Sequence, residues 1–117
     1  MVELEHVLPA DIEKTSFSII RKELAEQGKA VPRELEPVIL RVIHTTADFE
    51  YADSLCFSPD ALATGLSALR AGAHIVTDTS MAYAGIHKAT LERFGGAAHC
   101  FIADPEVAQQ ARERGMT

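Results

Sequence analysis

Two short apolar runs, residues 73–77 and 99–103, constrain the fold of this chain most, because a stretch with helical character separates them. Strands that alternate with helices favour a parallel sheet with right-handed crossover connections. A third, weaker strand is predicted at residues 54–57. A chain of 117 residues is long enough for one core, so we expect a single α/β domain over residues 1–117.

Proline and glycine mark the ends of two N-terminal helices. The first is predicted over residues 9–28, where Gly28 ends it. One face of this helix carries a stripe formed by Ile12, Ser16, Ile19, Ile20 and Leu24. A second helix opens at Pro32 or Pro37 and ends near His44, with a stripe formed by Leu35, Val38, Ile39, Val42 and Ile43.

The rest of the chain carries similar helix signals. Ser58 is expected to cap a helix that has a proline at its first position and ends at Gly72. Residues 79–85 favour a helix that continues, after a break, to residue 94. Asp104 is expected to cap a last helix that runs to about residue 114.

Composition and charge exclude several classes of protein. The net charge is −6 and the eleven lysines and arginines are scattered, so nucleic acid is not an expected partner. No apolar run approaches the roughly 20 residues of a membrane span. The acidic start at residues 1–5 lacks the apolar stretch of a secretory signal, so we expect a cytoplasmic protein.

His44 is the strongest candidate for chemistry. It follows an apolar helix, whose C-terminal partial negative charge favours a cation and suits a proton donor. The alternative is a capping histidine that bonds the last carbonyls of the helix. Asp48, Glu50 and Asp53 follow it; such a run is typical of a solvated loop, although one carboxylate could orient the imidazole.

Two further polar positions lie where a ligand could reach them. Ser16 is on the apolar stripe, where its hydroxyl either faces a cavity or bonds the carbonyl of Ile12. Asp78, with Thr79 and Ser80, follows the strand at residues 73–77, where open α/β sheets bind ligands. A helix N-cap explains Asp78 or Thr79 equally well.

The cysteines and the remaining histidines predict no metal site. Cys56 and Cys100 stand apart and are interpreted as reduced, buried thiols rather than a disulfide. His74, His87 and His99 lack ligand partners at helical spacing and are interpreted as structural or surface residues. The glycine-rich loops of dinucleotide and nucleoside triphosphate sites are absent from the sequence.

Four motifs in order resemble the precorrin-8X / cobalt-precorrin-8 methylmutase family. They are Ser-Phe-Ser-Ile-Ile-Arg at residues 16–21, Arg-Val-Ile-His-Thr-Thr at 41–46 with Asp48 and residues 51–52, Phe-Ser-Pro at 57–59, and residues 71–73, 77–82 and 85–86. The sequence Ile-His-Thr-Thr at residues 43–46 is similar to that of the cobalt-dependent branch of the family. The resemblance implies a three-layer α/β/α fold with a mostly parallel sheet, here the N-terminal half of the family's domain and apparently truncated.

The resemblance also implies an activity, an isomerase step of vitamin B12 biosynthesis. Such enzymes shift a methyl group from C11 to C12 of a tetrapyrrole, precorrin-8X or cobalt-precorrin-8, with a histidine as proton donor and with no cofactor. His44 matches that catalytic histidine. The substrate-binding positions that match are Ser16, Thr45, Asp78, Thr79 and Met81, and one pocket is expected to gather Ser16, His44 and Asp78.

Two other functions stay open, a non-catalytic corrinoid-binding module and a generic nucleotide-binding α/β protein. A narrow sheet also leaves backbone groups and an apolar face uncovered. We therefore expect the chain to form a homodimer or a higher homo-oligomer and to be inactive by itself.

Overall fold

The structure is a computed structural model and describes residues 8–116. The acidic start at residues 1–5, which bears on secretion, lies outside the described residues. Contacts divide the chain into two compact units, Met1–Pro59 and Asp60–Thr117. The single domain therefore stays a prediction, whereas a mixed α/β fold with parallel strand pairing is confirmed.

The first unit is helical. A 3-10 turn at Pro9–Asp11 leads into α1 (Ile12–Glu26), which is followed by α2 (Glu36–Thr46) and the short α3 (Tyr51–Ser54). Both long helices begin and end close to the predicted positions. Gly28 has a φ of 68°, a left-handed conformation that suits the residue after a helix.

The core of the first unit lies between α1 and α2. It consists of five buried aliphatic side chains, Ile20, Leu24, Ile39, Leu40 and Ile43. Partly buried residues from α3 and the loops beside it pack against this cluster, among them Phe49, Tyr51 and Phe57. Removal of this apolar surface from water is the main force that holds the two helices together.

The predicted strand at residues 54–57 is wrong. Ser54 ends α3, and residues 55–57 have no regular structure. Lys29 fixes this region, because its Nζ donates to the Phe49 carbonyl at 3.1 Å and lies 2.7 Å from the Asp53 carboxylate. Leu55 and Phe57 pack on the helical core, so their apolar character serves packing between helices rather than strand pairing.

The second unit contains a two-stranded sheet and four helices in its described part. The elements are α4 (Ala61–Arg70), β1 (Ile75–Thr77), α5 (Ser80–Gly85), α6 (Lys88–Arg93), β2 (Ala98–Cys100) and α7 (Pro105–Arg114). The strands are parallel, with Val76 opposite His99 in the register. Both predicted strands are found, but each is shorter than predicted, because residues 73–74 and 101–103 lie outside them.

The predicted cap of α4 is wrong by two residues. The N-cap is Asp60, and the helix begins at Ala61 rather than at Pro59. Asp60 has a φ of 56°, a left-handed conformation that aspartate tolerates better than most residues. The cap of α7 agrees with the prediction, because the Asp104 carboxylate accepts from the Glu106 N–H at 2.9 Å.

Gly96 allows β2 to approach the preceding elements. A Cβ at this position would lie 2.5 Å from the Ala73 carbonyl oxygen and 2.9 Å from a Leu91 methyl group. Only glycine fits such an approach without displacement of its neighbours. Leu91 is a buried aliphatic side chain of this unit, so Gly96 determines how the connection from α6 packs beside β1.

The two cysteines differ from the interpretation as buried thiols. Both are free, but Cys56 is exposed and Cys100 is half-buried. Cys56 lies in the irregular segment that replaces the predicted strand, so its side chain has no sheet face to occupy.

In residues 8–116, no helix has both the length and the apolar character needed to cross a membrane.

Candidate active site

His44 lies in the last turn of α2, where the helix ends in a left-handed residue. Ala47 has a φ of 56°, and its N–H donates to the Ile43 carbonyl at 2.7 Å, which completes the C-cap. The backbone thus caps the helix, and the imidazole makes no side-chain hydrogen bond within residues 8–116. This geometry favours the interpretation of His44 as a group available to a ligand over the capping alternative.

Phe17 on α1 orients the imidazole. The two rings meet edge to face, with centroids 5.6 Å apart and planes at 86°. The Arg41 guanidinium lies over the same phenyl ring, 5.1 Å from its centroid. Phe17 therefore contacts both side chains, in an edge-to-face geometry with the imidazole and a cation–π geometry with the guanidinium.

A two-point ion pair ties the two helices together beside this aromatic contact. The Arg41 guanidinium donates to both carboxylate oxygens of Glu13, at 3.0 and 2.8 Å. The hydrogen bonds from Arg41 lower the pKa of Glu13, and the nearby charge of His44 lowers it further. Since the pair is exposed, its main effect is to fix the orientation of the groups around Phe17.

A small cavity of about 220 Å³ opens beside His44. Its wall is formed by Ser16, Ile19, Ile20, Ile43, His44, Ala47 and Phe49. Most of these side chains are apolar, with one hydroxyl and one imidazole among them. Ligand sites commonly enclose about 300–1,000 Å³, so this cavity is large enough for one edge of a macrocycle but not for a whole one.

Ser16 lies on the wall of this cavity, as one of its two predicted interpretations requires. Its side chain is half-buried, and no hydrogen bond to the Ile12 carbonyl is found in the described part of α1. Ser16 and His44 come from different helices, yet the α1 and α2 packing brings both to one depression. These two predicted site residues are therefore neighbours.

Thr45 has a different environment. Its hydroxyl donates to the Arg41 carbonyl at 2.9 Å, and the side chain is exposed rather than on the cavity wall. Thr46 does the same with the Val42 carbonyl at 2.8 Å. Threonines commonly make this bond within a helix, and it leaves the hydroxyl oxygen able to accept.

The acidic run after α2 organises the loop. The Asp48 carboxylate accepts from the Glu50 N–H at 2.9 Å, and Asp53 pairs with Lys29. No carboxylate of this run bonds the imidazole in the structure of residues 8–116. The interpretation of a loop with local hydrogen bonds is therefore favoured over orientation of His44 by a carboxylate.

The other predicted site residues belong to the second unit, at the carboxyl end of β1. Thr79 is the N-cap of α5, because its hydroxyl accepts from the Ala82 N–H at 3.2 Å. Asp78 is exposed beside it, and Met81 is 86% exposed on α5. The capping alternative thus holds for Thr79, and Met81 leaves a large apolar side chain free for contact.

Cys100 is a neighbour of this segment that the sequence analysis did not select. The backbone N–H of Ile102 lowers the pKa of its thiol, with smaller contributions from Thr77 and Ser80. Cys100 also lies on the wall of a cavity of about 460 Å³, together with Ser80, Tyr83 and other residues of the range 98–104. No signal in the sequence pointed to this role, because the strand predicted at residues 99–103 placed Cys100 near its start, whereas β2 ends at Cys100.

The other three histidines of residues 8–116 contact each other or cap a helix. Nδ1 of His74, directly before β1, lies 2.9 Å from Nε2 of His99 in β2. His87 is the N-cap of α6 and accepts from the Thr90 N–H at 3.3 Å. Within residues 8–116, no three histidine, cysteine or carboxylate side chains lie together as a metal site would need.

Sequence reasoning missed Phe17, which contacts His44, and the pair of Arg41 and Glu13 beside it. Their spacing offered a signal, since Glu13 and Phe17 are four residues apart on α1, and Arg41 and His44 are three apart on α2. Such pairs share a helix face. The sequence could not show that these two faces oppose each other.

Comparison with known proteins gives one family. The family model described as precorrin-8X methylmutase matches residues 11–117. A cobalt-precorrin-8 methylmutase of Salmonella typhimurium is 46% identical over 113 residues, which are 93% of this chain and 53% of that protein. A precorrin-8X methylmutase of Pseudomonas aeruginosa is 36% identical, with 91% and 50% covered.

A solved structure gives the same result. The crystal structure of the precorrin-8X methyl mutase of Thermus thermophilus superposes with a TM-score of 0.76 at 40% identity. The superposition covers 87% of this chain and 50% of that one. The chain therefore spans about half the length of the relatives that it matches.

Proposed function

Because the chain belongs to the precorrin-8X methylmutase family, we propose that it contributes the proton-donating half of an isomerase in vitamin B12 biosynthesis. The substrate is precorrin-8X or cobalt-precorrin-8, since relatives of both names match. The product is the tetrapyrrole in which one methyl group has moved from C11 to C12.

The observation that carries this proposal is the position of His44. Its ring borders a mainly apolar cavity, is held by Phe17, and makes no competing side-chain hydrogen bond within residues 8–116. A proton donor needs such an arrangement, because the donor must be oriented and close to the acceptor atom before the reaction.

The reaction is an isomerisation, so substrate and product contain the same atoms. The bond between C11 and the methyl carbon breaks, and a bond between C12 and that carbon forms. Protonation of the macrocycle by the His44 imidazolium redistributes electrons in the conjugated system, and the proton returns to the imidazole afterwards. The chemistry requires no redox partner, so we propose no cofactor.

Ser16, Thr45, Asp78, Thr79 and Met81 are proposed to contact the substrate. The support for Ser16 is its place on the same cavity wall as His44, and the support for Met81 is its exposed apolar side chain. Thr45 and Thr79 each offer a hydroxyl oxygen. The substrate has many carboxylates and this chain is acidic, so backbone N–H groups at helix starts must contribute to binding.

A pair of histidine variants tests the proposal. The test uses a chimera in which this chain is joined to the part of the Salmonella typhimurium relative that lies outside the matched region. In this chimera, we expect His44→Ala to lower the methyl-migration rate by about 10²–10⁴-fold. Product affinity should stay within about tenfold, because the lost interaction stabilises the transition state. His87→Ala is the control: it removes a helix cap and should leave turnover nearly unchanged.

The result that would contradict the assignment is near-normal turnover in His44→Ala. The assay follows the absorbance change between substrate and product under single-turnover conditions, which separates chemistry from product release. Tight product binding with the loss of turnover would locate the defect in the chemical step.

A non-catalytic corrinoid-binding module is the second candidate. The observation that favours it is the cavity beside His44, whose volume of about 220 Å³ is small for a whole macrocycle. Titration of the chain with hydrogenobyrinate, followed by absorbance, separates binding from turnover. A spectral change without methyl migration would favour this candidate. Cytoplasmic location and homo-oligomeric assembly stay predictions.

A further inference from the structure

The ion pair between Glu13 and Arg41 lies one aromatic ring away from the candidate proton donor. The Arg41 guanidinium lies 5.1 Å from the centroid of the Phe17 ring, and the same ring meets the His44 imidazole with centroids 5.6 Å apart. The hydrogen bonds from Arg41 lower the pKa of the Glu13 carboxyl, and the charge of His44 lowers it further. The pair and the imidazole are therefore close enough to interact electrostatically.

Helix geometry places both members of this pair close to the cavity beside His44. Glu13 and Ser16 are three residues apart on α1, and Arg41 and His44 are three apart on α2. Residues at this spacing share a helix face and lie about 4.5 Å apart along the axis. Ser16 and His44 both line the cavity. A ligand in the cavity therefore reaches the ion pair if it extends by about one helix turn.

The ion pair is exposed, so another carboxylate can take the place of Glu13. The side chains of Arg41 and Glu13 are 54% and 55% exposed, and water and salt weaken an ion pair at such a site. The contact of Arg41 with Phe17 does not involve Glu13, so the guanidinium keeps its position over the ring during an exchange. A carboxylate that other contacts already hold nearby therefore displaces Glu13 at a small cost.

A second arginine–glutamate pair joins the same two helices and provides a contrast. Nε of Arg21 on α1 donates to the Glu36 carboxylate of α2 at 2.7 Å. These two residues line a different cavity, whose lining residues do not include His44 or Ser16. The Arg21 pair therefore joins the helices as the Arg41 pair does, but away from the candidate proton donor.

The substrate of the proposed reaction has the chemistry that Arg41 accepts. The substrate carries many carboxylates, whereas the net charge of this chain is −6 and opposes their binding. A guanidinium binds a carboxylate through two parallel N–H···O bonds, and the two bonds from Arg41 to Glu13 already have this geometry. An arginine beside the proton donor thus offsets the repulsion where the substrate must be oriented most accurately.

We propose that Arg41 is a substrate-binding residue, which exchanges the Glu13 carboxylate for a carboxylate of the tetrapyrrole. Glu13 holds the guanidinium in its binding geometry while the site is free, and it returns to Arg41 when the product leaves. The exchange also places the macrocycle against His44, because Arg41 and His44 lie about one helix turn apart. This role of Arg41 rests on the proposed function, but it is measured by affinity, whereas that function is measured by turnover.

Product titration of the chimera described above tests the exchange. Hydrogenobyrinate is added and followed by its absorbance at low salt, where ion pairs are least screened. Arg41→Met removes the charge but keeps an unbranched side chain, and it should weaken binding by at least about tenfold. Glu13→Gln removes the competing carboxylate and should strengthen binding by up to about fivefold.

Arg21→Met is the matched control, because it breaks the other arginine–glutamate pair between the same helices. Its product affinity should stay within about threefold of that of the parent chimera. Urea unfolding should show similar losses of stability in Arg21→Met and Arg41→Met, since each variant loses one ion pair between α1 and α2. A loss of affinity in Arg41→Met alone therefore reports a role in binding rather than in helix packing.

A swapped pair separates the two roles further. Glu13→Arg combined with Arg41→Glu keeps an ion pair between the helices but moves the cation from α2 to α1. We expect its product affinity to fall by at least about tenfold although its urea midpoint stays close to that of the parent. Single-turnover kinetics should also show that Arg41→Met lowers the rate at saturating substrate by less than it lowers the affinity.

Four results would overturn the inference. One is a product affinity of Arg41→Met within about threefold of that of the parent. The others are weaker binding in Glu13→Gln, full affinity in the swapped pair, and no product binding by the parent chimera at about 0.1 mM. By contrast, a chimera that binds the product through Arg41 but moves no methyl group would refute only the isomerase proposal, so the two failures are distinguishable.

Discussion

The substitution Ile43→Ala tests how much the core of the first unit stabilises the packing of α1 against the helix that carries His44. Ile43 is 1% exposed and belongs to the cluster between α1 and α2. The change removes about three carbons at roughly 0.8 kcal/mol each, or about 2.4 kcal/mol of transfer free energy. The cavity that remains raises the loss of unfolding free energy to about 3 kcal/mol.

Ile19→Ala is the matched control on the partner helix. Ile19 is 60% exposed, so the same truncation removes only about 40% of the transfer term and leaves no closed cavity. Alanine is also the better helix former by a few tenths of a kcal/mol. The expected loss of unfolding free energy is therefore below about 1 kcal/mol.

Urea unfolding followed by amide signals of the first unit measures both variants. With an m-value of about 1.5 kcal/mol/M, a loss of 3 kcal/mol lowers the midpoint by about 2 M. Amide signals of the second unit are followed in the same samples and serve as an internal reference. Because each unit is followed by its own signals, the measurement holds even if the two units unfold at different urea concentrations. Equal midpoint shifts in the two variants would refute the assignment of Ile43 to the core.

Three further predictions concern the rest of the chain. Gly96→Ala should destabilise the second unit by about 1–3 kcal/mol through overlap with the Ala73 carbonyl, whereas Gly65→Ala, with open space around its Cβ, should not; thermal melts compare the two. Since Arg41 lowers the pKa of Glu13, the contribution of Glu13 to stability is present above the unfolded value of about 4.3 and is lost as pH falls through the lowered pKa. Glu13→Gln should flatten that part of the pH profile in thermal melts, and an unchanged profile would contradict it. Sedimentation equilibrium of the isolated chain at low micromolar concentration should give a mass above 12.7 kDa, and a clean monomer would show that it does not self-associate.

Local signals in the sequence determined most of the element positions. Gly28 and Pro37 bound the first two helices, and Asp104 caps the last one, because each of these residues acts through its own backbone or a hydrogen bond within its own turn. The two β strands were predictable for a similar reason, since a short apolar run between two helical segments usually forms a buried strand. His44 was identified from its place at a helix end and from the motif around it.

Tertiary packing decided which faces are buried and which side chains meet. The predicted stripe on α1 included Ile19, which is exposed, whereas Phe17 outside that stripe packs against the core. The segment after α3 has strand-like composition but packs on helices, because the core offers Leu55 and Phe57 apolar contacts.

The contacts around His44 show why the sequence predicts helix ends but not which side chains meet. Helix ends and caps depend on residues a few positions apart, which the sequence places together by itself. The contact of His44 with Phe17, and that of Arg41 with Glu13, joins residues about 27 positions apart across two helices. Their meeting depends on how the apolar faces of α1 and α2 pack, and many side chains contribute to that free energy at once.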